Sequence, residues 1–193
     1  MLNTQLSSWL KKQKNSPLVN TQSNIAEYLL YLWQMQDVAR ATNFDVDAAM
    51  GFYGDVPADQ LVEERRWFAG LCATMKEENV IKSGHISEVH EILKELVYLH
   101  STLITSMNDE KYQSLREAAK PALSEFLNKT QGGTGSEVEA YLTALYGWLL
   151  LRLRSAEISP STEDAMKSFS AVMAYLSEMY RQMKLGEMNL GLN

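Results

Sequence analysis

Asn24–Arg40 reads NIAEYLLYLWQMQDVAR. At about 100° of turn per residue, Ile25, Tyr28, Leu32, Met35 and Ala39 fall on one face of a helix. Leu29 and Trp33 fall on a second face with Gln36 and Arg40, and Leu30 shares a third with Asp37. A helix apolar on two faces belongs inside a protein, so the spacing predicts a buried helix with other helices arranged around it. Asn24 is placed to cap its start. Glu27, three residues on, completes the pattern in which each side chain satisfies an orphan backbone donor. Gln36, Asp37 and Arg40 are too polar for burial on every side. Either the last turn and a half emerges into solvent, or it meets a polar partner such as Arg152.

Working outward, the same periodicity recurs. Asp55 and Pro57 open a helix to about Val80 whose inward stripe is Leu61, Phe68, Leu71, Cys72 and Met75, with Trp67 at the edge. A helix over about 85–106 carries Ile86, Val89, Leu93, Leu96, Val97, Leu103 and Ile104 inward. Asn108 or Asp109 caps the next, with Tyr112, Leu115, Ala119, Leu123 and Phe126 at helical spacing and Pro121 expected to kink it. Residues 137–155 form a second very apolar helix. Its main face is Leu142, Leu145, Leu149 and Leu153, and Thr143 and Gly147 invite close approach of a neighbouring backbone. Ser159-Pro160 opens the last helix, striped by Met166, Phe169, Met173, Leu176, Tyr180 and Met183 and stopped at Gly186. Residues 3–14 read as a short amphipathic helix docked on the bundle, in preference to a membrane-surface arm, since three lysines are few for surface binding. The fold expected is all-α: a single-domain antiparallel bundle over 1–193 of five to six main helices, with 24–40 and 137–155 central, 1–20 peripheral and 186–193 a tail.

Composition agrees. Of 193 residues 46% are hydrophobic, enough for a sizeable core, and four prolines leave room for long helices. The net charge of −6, without a basic run, argues against nucleic-acid binding and suits the cytoplasm. Cys72 is the only cysteine, which excludes an internal disulfide and cysteine-based metal sites. The longest apolar run, Ala144–Leu151, is about half a membrane span, and MLNTQLSSWLKK lacks the charge order of an export signal.

The run NIAEYLLYLWQMQD (Asn24–Asp37), with looser agreement from Gly84 to His100, resembles a family of all-helical bacterial proteins, a domain of unknown function found mainly in Bacteroidetes. The resemblance covers nearly the whole chain. It implies a helical bundle and a cytoplasmic location, and it carries over no activity and no functional residues.

Four polar residues stand out on apolar faces. His100 lies among Leu96, Val97, Leu103 and Ile104, and Glu64 within the stripe of Leu61, Phe68, Leu71 and Met75. Asp37 and Arg152 sit on the two most apolar helices. Buried charges need partners, so the expectation is a network, with an acid facing Arg152 and a hydrogen-bonded His100. The sharper reading makes Glu64 and His100 an acid–base pair or metal ligands in a pocket, with Asp37 and Arg152 as a binding pair. The blander one makes all four a structural network. Metal spacing is missing: no histidine follows a glutamate by three, no His-Glu-x-x-His occurs, and Asp45 and Asp47 lack the rest of a calcium loop. TQGGTGS (130–136) reads as a linker, because neither a strand before it nor a Lys-Ser/Thr pair after it supports a phosphate loop. The function expected is therefore a cytoplasmic interaction or structural module without catalytic activity, without cofactor or metal. It would pair as a homodimer through the last helix if Met179 and Met183 are exposed. The alternative is a small-molecule- or metal-binding, hydrolytic bundle.

Overall fold

Helical periodicity runs through nearly every stretch between the turn residues, and the backbone follows it. The computed structural model describes residues 24–52, 58–130 and 135–188, and among them the chain is all-α, with seven helices and no strand. They are α1 (Ile25–Ala41), α2 (Val46–Met50), α3 (Ala58–Glu77), α4 (Ser87–Thr105), α5 (Glu110–Lys129), α6 (Glu137–Leu153) and α7 (Pro160–Leu185). Six of them are 17 to 26 residues long. The expected helix at 3–14, the helix start at Asp55 and Pro57, and most of the 130–136 linker and the tail lie outside the described residues. The chain divides into two compact units, one of residues 27–91 and one of residues 24–26 and 92–188.

In the first unit α1 is buried along nearly its whole length, and only Glu27, Asp37 and Ala41 are exposed. It ends on two residues in the left-handed region, Asn43 (φ 51°) and Phe44 (φ 63°), where the Phe44 amide returns to the Ala39 carbonyl at 2.7 Å. Asp45 then caps α2 by accepting from the Asp47 and Ala48 amides, which gives that aspartate a structural role. The α3 stripe of Phe68, Leu71, Cys72 and Met75 is buried as its spacing predicts, and α2 packs on α3. Asn79 (φ 58°) and Gly84 (φ 85°) turn the chain toward α4, whose Ser87 is held by the Glu78 carboxylate.

In the second unit α5, α6 and α7 pack on one another. Their starts are capped by Asp109, Ser136 and Ser159, and Gly186 closes α7 in the left-handed conformation. Ser136 Oγ accepts from the Glu139 amide and donates its own proton to the Glu139 carboxylate, a cap the sequence reading overlooked. Helix α5 is a single helix across Pro121. The entry to α1 belongs to this unit: the Ala26 amide donates to Asn24 Oδ1 at 3.2 Å and to Ser177 Oγ, 151 residues away, at 3.3 Å. Helix α6 is buried along its first half, while Tyr146 to Leu150 are only half buried and Leu151 is exposed. Among the described residues the close approach expected at Thr143 and Gly147 does not occur. Thr143 is exposed, and a Cβ on Gly147 would find open space within 4 Å.

Candidate functional site

The polar end of α1 finds its partner in backbone. Gln36 is fully buried (0% exposed); its Nε2 donates to the Leu32 carbonyl at 3.1 Å and its Oε1 accepts from the Ile86 amide at 3.2 Å. One turn on, the Arg40 guanidinium donates to the Val80 and Gly84 carbonyls. Trp33 stacks on His85, with ring centroids 4.8 Å apart and planes 14° from parallel. Burial, and then the charge of Arg40, holds the His85 imidazole below its ordinary pKa. Three residues on one side of α1 thus clamp the loop from Val80 to Ile86.

The four candidates from the sequence occupy separate settings. Asp37 is exposed and pairs with Arg40 on its own helix at 3.1 Å. Arg152 is exposed too, and stacks over the Trp148 ring at 4.4 Å. Its expected acidic partner is replaced by a cation–π contact within α6, because the last turn of that helix faces water. Glu64 is half buried and accepts from the Tyr31 hydroxyl at 3.4 Å, with Tyr31 and Trp67 in ring contact. Glu64 and Asp37 belong to the first unit, and His100 and Arg152 to the second.

His100 anchors a cluster whose other members come from α5 and α6. Its Nδ1 lies 2.6 Å from the Tyr112 hydroxyl, and its Nε2 3.9 Å from Glu137 Oε2. Arg116 grips Glu137 with two hydrogen bonds, Nε to Oε2 at 2.7 Å and Nη2 to Oε1 at 2.6 Å, a forked pairing that fixes the carboxylate's orientation. The Arg116 hydrogen bond outweighs burial and holds Glu137 below the usual carboxylate range. Burial lowers the His100 pKa, against the pull of Glu137. Tyr141, four residues after Glu137 on α6, is fully buried with its hydroxyl sealed from solvent and without a hydrogen-bond partner. Burial and then the Glu137 charge push its pKa up to about 12, and burial raises that of Tyr112 as well. Tyr112 also stacks on Tyr175, whose hydroxyl donates to the α5 cap Asp109 at 2.8 Å.

The family model described as "Domain of unknown function (DUF4924)" matches residues 19–187. The chain belongs to this family. No curated protein and no solved structure matches it. In this DUF4924 chain no helix among the described residues is long and apolar enough to cross a membrane, and no three His, Cys, Asp or Glu side chains among them are grouped as a metal ion would need.

Chemically, the His100 cluster is better built for holding than for reacting. The Tyr112 hydroxyl and His100 Nδ1 share a 2.6 Å hydrogen bond, which engages that ring nitrogen within the cluster. Glu137, kept ionised by Arg116, is too weak a base for proton abstraction near neutrality. The sequence reading found His100 but missed Tyr112, Arg116, Glu137 and Tyr141. Tyr112 reads as part of the apolar stripe of its helix, and Tyr141 falls outside the main face of the next. An Arg at 116 and a Glu at 137 on separate helices give no spacing signal at all.

Proposed function

We propose that this chain is an interaction or structural module without catalytic activity, working in the bacterial cytoplasm as a homodimer, and that residues 1–193 form one domain. The family match, which runs through both units, supports the single domain. The observation that carries the interaction reading is the second half of α6. Tyr146 to Leu150 are half buried and Leu151 is 41% exposed, in a stretch without a polar side chain other than the tyrosine hydroxyl and the indole N–H until Arg152. Large apolar side chains left partly open to water on one helix are the kind of surface that marks a protein contact. Met179 and Met183 on the last helix are half buried, as Tyr146 to Leu150 are. Light scattering on the purified chain tests the reading: a dimer that Leu151→Glu converts to monomer is expected, and a monomeric parent chain refutes the homodimer.

The alternative, a small-molecule or metal-binding hydrolytic bundle using Glu64 and His100, has the chemistry of the His100 cluster against it. A thermal-shift screen with metals and nucleotides that gives a clear stabilisation would restore it.

A further inference from the structure

One side of α6 is left without a neighbour to match it. Glu139, Thr143, Tyr146, Gly147, Leu150 and Arg154 recur at spacings of three and four, so they share one face of the helix and its cap. Thr143 and Arg154 are exposed, and the other four are half buried. Among the described residues nothing calls for a glycine at 147: a Cβ there would meet nothing within 4 Å, although glycine weakens a helix interior relative to alanine. The two ends of the face carry opposite charges. Among the described residues neither Glu139, which accepts from the Ser136 hydroxyl, nor Arg154 forms an ion pair. We propose that the occupant of this face is the same face of a second copy, antiparallel about a two-fold axis between Tyr146 and Gly147, an inference that rests on the homodimer reading and gives it a register. In that register Tyr146 lies over Gly147 of the second copy, Leu150 lies over its Thr143, and Arg154 reaches its Glu139. Each bulky side chain faces a small one, so the two helices come close. Each charged end faces its opposite, and the symmetry makes every pairing twice. A parallel pairing would set arginine against arginine and glutamate against glutamate, so charge selects the antiparallel one.

Positions 139 and 154 stand about 22 Å apart along one helix, so a short covalent link between them arises only between copies. In the full chain Arg154→Lys keeps the charge and supplies an amine that a carbodiimide couples to a carboxylate. A linked dimer whose joined peptides contain positions 139 and 154 is expected by mass spectrometry. A dimer that Leu151→Glu still breaks, but that gives no such link, overturns the register and leaves the homodimer reading standing. A monomeric parent chain overturns both. Gly147→Leu gives a second reading that needs no reagent. It should leave the helical circular dichroism of the chain unchanged, since its Cβ has open space within the single chain, and raise the dimer dissociation constant by about tenfold or more in sedimentation. A dimer as tight as the parent's overturns the close crossing.

Discussion

Replacing Gln36 by methionine removes an amide from the interior at almost constant volume. The side chain is fully buried, and so is Ile86, whose backbone N–H relies on Gln36 Oε1 at 3.2 Å. Without that acceptor the N–H is stranded away from water. A stranded buried donor costs about 1–3 kcal/mol, while the Leu32 carbonyl, which also accepts from Gln36 Nε2, loses only a supplementary donor. Taking about 2 kcal/mol for a chain of this length, the melting temperature should fall by about 4–8 °C. Calorimetry measures the total, and hydrogen exchange locates it: the Ile86 amide should lose protection more than amides in the middle of α3. An unchanged or raised melting temperature, with Ile86 still protected, would refute the view that Gln36 is the anchor of this loop.

Arg40→Met removes the guanidinium bonds to Val80 and Gly84; a loss of roughly 1–2 kcal/mol is expected after allowing for partial exposure, together with faster exchange through residues 80–86, and an undisturbed loop would count against the clamp. Stability should also fall with acid. Burial holds His85 and His100 below the ordinary histidine value of 6.5, so the unfolded chain takes up protons first. Their contribution is complete above that value and is lost as the pH falls from it through the lowered folded values. Melting temperatures between pH 8 and pH 5 should show this decline, and the double variant His85→Gln with His100→Gln should flatten it. A parent chain with no pH dependence in that window contradicts the assignment.

The sequence read most clearly where one residue type meant one environment. The α1 seam, the stripe of α3 and the Ser159-Pro160 and Gly186 bounds of α7 follow from apolar spacing and capping chemistry, which act locally. What it left open depended on partners distant in the chain. Gln36 and Arg40 looked like a solvent-facing end or a match for Arg152, because backbone carbonyls and amides of a loop have no signature in side-chain sequence. Arg152 looked buried because α6 is very apolar, yet periodicity does not say which half of such a helix is covered. His100 was visible as a polar break in an apolar stripe, but the groups that give it meaning are tyrosines, each of which hides a hydroxyl in a hydrophobic letter.

The bond from Ala26 to Ser177 has a consequence for how the molecule is made. Helices α5, α6 and α7 follow one another in sequence and pack together, so their association needs only short closures and should be fast. Joining Ala26 to Ser177 closes a loop of 151 residues, for which chain entropy alone exacts about 4 kcal/mol at (3/2)RT ln n. One amide–hydroxyl bond does not recover that. The entry to α1 should therefore dock late, once α7 is in place. On a ribosome, where residue 26 emerges long before residue 177, the entry to α1 has to wait until α7 has been synthesised.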